Sequence, residues 1–191
     1  MESSGNRAKL VKAARKLFTA HGFAAVSVDE IAAAAGLTKG AVYYQFSDKT
    51  DLFRAACEAV LADIEAAVTR ETMGHVAHAV DEIVTGSEKL FDAYESEEAR
   101  RLLLLEGPAV LGLDEWTALQ DKLGVGLGEH ALGHLADEGL LQKSLVPMMA
   151  RLLFGAFIQA VLQIASADDP RVASKRARAA YKRLAQGLLT Q

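Results

Sequence analysis

Apolar residues recur at helical spacing from the start of the chain. Leu10, Ala14, Leu17 and Phe18 fall at i, i+4, i+7 and i+8, while Lys9, Lys12 and Lys16 share a polar face. The pattern predicts a helix from about residue 3 or 7 to 20, closed at Gly22, which can take the left-handed conformation. Ser27-Val28-Asp29-Glu30 then has capping-box spacing, followed by an apolar stripe of Val28, Ile31, Ala32 and Ala35. Gly36-Leu37 makes a tight turn, and Thr38 caps a short third helix to about Gln45. Two short helices joined by a glycine-containing turn form a helix-turn-helix.

A fourth helix starts after Phe46, capped by Ser47 or Asp48, with Phe53, Cys57, Val60, Leu61, Ile64 and Val68 on its buried face. Further helices are expected at about 76–94, 97–105, 114–123 and 127–138. Glu106-Gly107-Pro108 should stop one of them, because proline cannot donate and clashes with the preceding turn. Two long helices close the chain, at 145–166 and 170–189, the second opened by Asp169-Pro170. The expected fold is all-α with nine or ten helices. An N-terminal three-helix helix-turn-helix domain (1–47) precedes a helical bundle (48–191).

The stretch 145–165 is apolar enough to span a bilayer, but Arg151, Gln159 and Gln163 inside it would be costly in lipid. A helix apolar all round is otherwise one buried on every side, so no membrane partner is expected. The first residues show no apolar signal-peptide stretch. The lone cysteine, Cys57, cannot form an internal disulfide, and a reducing, cytoplasmic setting fits it. Within its apolar stripe Cys57 reads as an inert core thiol.

Net charge is −4, an odd balance for a binder of polyanions until it is split. Residues 1–50 hold seven Lys or Arg against four acids, a charge of +3. The remaining 141 hold 14 basic and 21 acidic residues, a charge of −7. A basic module on an acidic body suits an anionic partner and avoids non-specific sticking.

The run Leu17-Phe18, Gly22-Phe23, Ser27-Val28-Asp29-Glu30-Ile31-Ala32, Ala35-Gly36-Leu37-Thr38-Lys39-Gly40-Ala41-Val42-Tyr43-Tyr44-Gln45-Phe46, Lys49 and Leu52-Phe53 resembles the DNA-binding signature of the tetracycline-repressor (TetR) family. The stretch 102–112 followed by Trp116 also resembles a recurring sequence in bacterial members. The resemblance implies a ligand-responsive transcriptional regulator, usually a repressor and not an enzyme. It would bind a double-stranded, near-palindromic DNA operator as a homodimer through the helices at 145–166 and 170–189. A small-molecule effector would release it. Two rival readings are a catalytic or metal-binding body with the helix-turn-helix as an appendage, and a ligand-independent architectural DNA binder.

Residue by residue, the DNA site is expected at Ser27, Thr38, Lys39, Gly40, Ala41, Tyr43, Tyr44 and Lys49. Val42 and Phe46 take the inward face of the third helix, so at least one tyrosine must point outward, where a phenol can reach a phosphate or a thymine methyl. Lys39 is the candidate for reading a guanine edge, and Ala41 could touch a thymine methyl. Ser27 and Thr38 stand at helix N-termini, where capping and phosphate binding can coexist. Gly40 costs helix stability, which close approach of the backbone to DNA would explain. Lys49 is badly placed for the helix dipole, which a phosphate would offset.

The effector site is expected among Phe91, Tyr94, Leu103, Trp116, Arg151 and Phe154, large apolar or amphipathic residues away from the DNA head, for an apolar or amphipathic molecule. Arg151, a cation in an apolar helix, needs an acid such as Glu106 or an anionic ligand. His130 and His134, at i and i+4 with Glu129, Asp137 and Glu138 nearby, have a spacing that can grip zinc. Exposed helix faces produce such pairs without a metal, as they do His75 and His78, and neither metal nor cofactor is predicted.

Overall fold

The computed structural model describes residues 2–72 and 79–187, and the His75/His78 pair lies outside them. Among the described residues every regular element is helical: α1 (Glu2–His21), α2 (Val28–Ala34), α3 (Lys39–Gln45), α4 (Lys49–Thr72), α5 (Ala79–Tyr94), α6 (Glu97–Ala99), α7 (Gly107–Leu111), α8 (Leu113–Gln120), α9 (Gly126–Asp137), α10 (Val146–Ala165) and α11 (Pro170–Gly187). Two π-helical turns, Arg100–Glu106 and Asp121–Val125, join α6 to α7 and α8 to α9. The described residues agree with the expected all-α fold of nine or ten helices.

The π turns change two expectations. Glu106-Gly107-Pro108 does not stop its helix: the chain passes from the π turn into α7 with Pro108 in the first turn. Pro108 directly follows the π turn, where the regular i→i−4 ladder is already interrupted, so its missing N–H disturbs that ladder less than it would in a regular helix interior. The break falls instead at Gly112, whose φ is +81°. The helices expected at 114–123 and 127–138 run on through the second π turn, where the Phe154 ring lies so close to Gly124 that an added Cβ would sit 2.1 Å from it.

Packing divides the chain into two compact units, Met1–Ala62 with Glu97–Trp116, and Asp63–Ser96 with Thr117–Gln191. In the first, Leu10, Ala14, Phe18, Ile31, Val42 and Phe46 bury the seam of α1, α2 and α3. Phe18, Phe23 and Phe53 meet at ring-centroid separations of 5.2–5.7 Å, a geometry favourable for aromatic pairs. Cys57 is fully buried, and its thiol approaches the Leu102 carbonyl at 3.8 Å.

The second unit is a bundle of α5, α9, α10 and α11 centred on Phe157, which touches the rings of Phe91, Tyr94, Phe154 and Tyr181. The Arg178 guanidinium of α11 donates to Glu88 and Glu95 on α5, pairs with Asp92 and lies over the Phe91 ring. One planar cation thus straps two helices through several charge-assisted bonds. The exposed side of α10 carries large apolar residues, Met148 and Leu152 at 60% and 65% exposure, beside the exposed Arg151, Gln159 and Gln163.

Two measurements check this packing. Gly22 has φ +83°, and an added Cβ would lie 2.6 Å from Glu106 Oε1. Gly22→Ala should therefore lose at least about 1–2 kcal/mol of stability from the left-handed backbone alone. A urea midpoint equal to wild type would show that the loop relaxes instead. Burial pushes the Cys57 thiol up to about 12. At pH 8 only about one thiol in ten thousand should then be ionised. Cys57 should resist aromatic disulfide reagents until the chain is unfolded, whereas rapid labelling of the native protein would contradict the burial.

Candidate DNA interface and effector cavity

The helix-turn-helix is built by local chemistry. Ser27 Oγ accepts from the Glu30 amide at 3.2 Å, and the Glu30 carboxylate accepts from the Ser27 amide at 2.7 Å, closing the capping box. The same hydrogen bonds from the Ser27 hydroxyl and amide hold the Glu30 carboxyl below the usual range. At the other end of α2, the Leu37 amide donates to the Ala32 carbonyl and the Gly36 amide to that of Ala33, with Gly36 at φ +67°. This is a Schellman closure, and it turns the chain directly into α3. Thr38 Oγ1 then accepts from the Ala41 amide at 3.2 Å.

On α3, Val42 is buried, and the Phe46 cap that follows is buried with it. Tyr43 and Tyr44 are both outward, at 51% and 81% exposure. Ser27, Thr38, Lys39 and Gly40 are exposed, and Ala41 is half-buried. Apart from its own helix backbone, a Cβ added at Gly40 would meet only Thr38 Oγ1, at 3.8 Å. Nothing inside the chain demands a glycine there.

The two lysines of the expected site are engaged. Lys39 Nζ pairs with Asp29 on α2 at 2.9 Å, and that hydrogen bond and charge raise its pKa. Both groups are exposed, so the pair is worth little and can open. Lys49 answers its unfavourable place at the α4 N-terminus within the chain. Its ammonium donates to the carbonyls of Phe23 and Val26 at 2.9 and 3.0 Å and lies over the Phe23 ring. The helix-dipole argument for a phosphate partner at Lys49 is thereby removed. Asp48 rather than Ser47 caps α4, accepting from the Asp51 amide at 2.8 Å.

The second unit contains an apolar cavity of about 80 Å³, lined by residues that include Val68, Ile83, Leu90, Leu127, Leu153 and Phe154. An engineered apolar cavity of about 150 Å³ takes up benzene; a guest of that size here would either move a wall or project into solvent, since the lining residue His130 is itself exposed. Of the six residues expected around an effector, the structure places Phe154 on this cavity. Phe91 and Tyr94 pack on Phe157 in the same unit, and the Tyr94 hydroxyl donates to Gln120 at 2.8 Å, where burial raises its pKa. Leu103 and Trp116 are buried in the first unit, Trp116 against Gly107. Arg151 is exposed on α10 and hydrogen-bonded to Asp121, not Glu106. Glu106 is occupied by Arg101 and by the Phe23 amide.

The cavity walls Ile83, Leu90 and Leu127 were not singled out from the sequence. Their only signal is ordinary amphipathic spacing, which does not distinguish a cavity wall from a filled core. The acid beside His130 and His134 is Glu82 on α5, not the neighbours in sequence: His134 Nδ1 lies 2.7 Å from Glu82 Oε2, and His130 Nε2 lies 3.9 Å from Glu82 Oε1.

Comparison with known proteins agrees with this arrangement. Residues 10–56 match the model for bacterial regulatory proteins of the tetR family, and residues 80–188 match the tetracyclin repressor-like C-terminal domain. The HTH-type transcriptional regulator AcrR of Shigella flexneri is 32% identical over 106 residues. That alignment takes in 54% of this chain and 48% of AcrR, so the match spans about half of either protein. A TetR-family regulator from Pectobacterium atrosepticum superimposes with a TM-score of 0.85 at 26% identity, covering 100% of this chain and 97% of that one. RolR bound to resorcinol gives a TM-score of 0.74 at 18% identity, covering 100% and 95%, a likeness of fold. With a C-terminal family match over more than half of its length and a helix-turn-helix match before it, this chain belongs to the TetR family of transcriptional regulators.

Proposed function

We propose that this protein is a cytoplasmic repressor that binds a near-palindromic DNA operator as a homodimer and is released by a small apolar or amphipathic molecule. The observation that carries the DNA reading is the outer face of α3, with two exposed tyrosines beside an exposed glycine where an added Cβ would make only an ordinary contact with Thr38 Oγ1. Two outward aromatics on a seven-residue helix bury little within their own fold, and a duplex gives them phosphates and base edges to meet. Residues 1–47 then act as the reading head, with Ser27, Thr38 and Tyr43 on phosphates, Ala41 and Tyr44 toward bases, and Lys39 leaving Asp29 for a guanine. Lys49 serves by holding the loop before α2. Residues 48–191 carry the effector cavity and the dimer face.

The outer stripe of α10 supports pairing. Leu145, Met148, Leu152 and Leu162 are exposed along one helix, and Val172 and Leu184 are exposed on α11. Lys143–Ala165 also has the length and hydropathy of a membrane span, with one third of that window buried. A two-fold four-helix contact covers the same stripe with protein.

An operator selected from random duplexes with the purified chain allows the test. Gly40→Ala should unfold at the same denaturant concentration as wild type or gain up to about 1 kcal/mol. It should nevertheless bind the operator at least tenfold more weakly. Tyr43→Ala should weaken every sequence and flatten the salt dependence, while Lys39→Ala should relax preference at a single base pair. Unchanged operator binding by Gly40→Ala would remove the face of α3 from the interface.

Sedimentation addresses the pairing separately. At micromolar concentration wild type should run as a dimer and Leu152→Glu should shift toward monomer. A monomeric wild type would overturn the proposed two-fold contact.

A further inference from the structure

Glu82, His130 and His134 bring three donors of metal-binding type together, their ligand atoms all within 4.8 Å of one another. The histidines stand one turn apart on α9, with rings crossed at 66° and centroids 4.6 Å apart. Glu82 arrives from α5, its side chain only 12% exposed, whereas His130 and His134 are 59% and 47% exposed. A largely covered carboxylate beside an apolar cavity is costly unless a cation or strong donors compensate it.

We propose that these three residues bind one divalent transition-metal ion of the zinc class. Two imidazole nitrogens and one carboxylate oxygen are a donor set that zinc accepts at about 2.0–2.2 Å, commonly with a further position left open. Tetrahedral geometry at those lengths sets donors about 3.4 Å apart. The observed separations run to different carboxylate oxygens, 2.7 Å from His134 Nδ1 to Oε2 and 3.9 Å from His130 Nε2 to Oε1, so binding would need a small rearrangement of these side chains. The exposed imidazoles can make the adjustment by rotating, while packing of α5 against α9 holds the carboxylate. Hard ions such as magnesium prefer an all-oxygen shell and are disfavoured by two imidazoles.

Glu82 and His130 also line the apolar cavity, so a remaining coordination position is available to water or to an oxygen or nitrogen donor on a small molecule there. The ion would add a polar anchor to a site whose other walls are mostly apolar. The metal assignment does not rest on the DNA-binding proposal, and its test uses no DNA.

The experiment is equilibrium dialysis of the untagged, chelator-stripped full chain against zinc, with a cobalt(II) titration followed by visible absorption. We expect one zinc per chain, cobalt absorption that saturates at the same stoichiometry, and no competition from millimolar magnesium. His130→Ala with His134→Ala should lower the zinc affinity by at least tenfold, and Glu82→Gln should do so independently. Circular dichroism should show each variant as helical as wild type, since both imidazoles are substantially exposed. Failure of wild type to take up zinc saturably would overturn the proposal. So would unchanged uptake by the folded double-histidine variant.

Discussion

The loop between α1 and α2 has to satisfy backbone groups that no helix ladder serves, and the first unit is arranged around how that is done. The Phe23 amide donates to Glu106, and the carbonyls of Phe23 and Val26 accept from Lys49. A partly buried peptide group left without a partner costs about 1–3 kcal/mol, so removing either charged residue exposes the loop to that penalty. The two residues come from distant parts of the chain, one at the start of α4 and one at the end of a π turn. They fix the entry into α2, and α2 in turn sets α3 through its Schellman turn. The direction of α3 therefore depends on two charged side chains outside the helix-turn-helix proper.

What could be read from the sequence was local. Ser27, Glu30, Gly36 and Thr38 each act within five residues, so their spacing alone specifies the bonds they make. The apolar stripes of α1, α2 and α4 are legible for the same reason, since one face of a helix needs only its own period. Partners brought together by the tertiary fold were not legible. Lys49 satisfies carbonyls more than twenty positions back, Glu106 reaches Phe23 across 83 positions, and Arg151 finds Asp121 rather than Glu106.

The π turns were hidden for a related reason. An extra residue in a helical turn is unfavourable locally and persists where packing outweighs it. Here Gly107 lies under Trp116 and Gly124 under Phe154, contacts that bring aromatic rings against backbone where a side chain would collide. A proline four positions before a glycine break looks like a stop in one dimension. Placed directly after a π segment, where the regular ladder is already interrupted, it lets the helix continue to Leu111.

Two helices give the proposed switch its physical form. α4 lines the cavity with Val68, Thr69 and Thr72 of its last turns. α10 carries Leu153 on the cavity side and Leu152 on its outer face, so adjacent residues serve the pocket and the proposed dimer contact. A guest larger than this cavity of about 80 Å³ either projects into solvent at its open side or moves one of these walls. A ligand biases an equilibrium only by binding one state better than the other. A guest that fits only the widened cavity has that preference by size alone. Such a guest would act first on α4 and α10, the helices whose residues line the cavity.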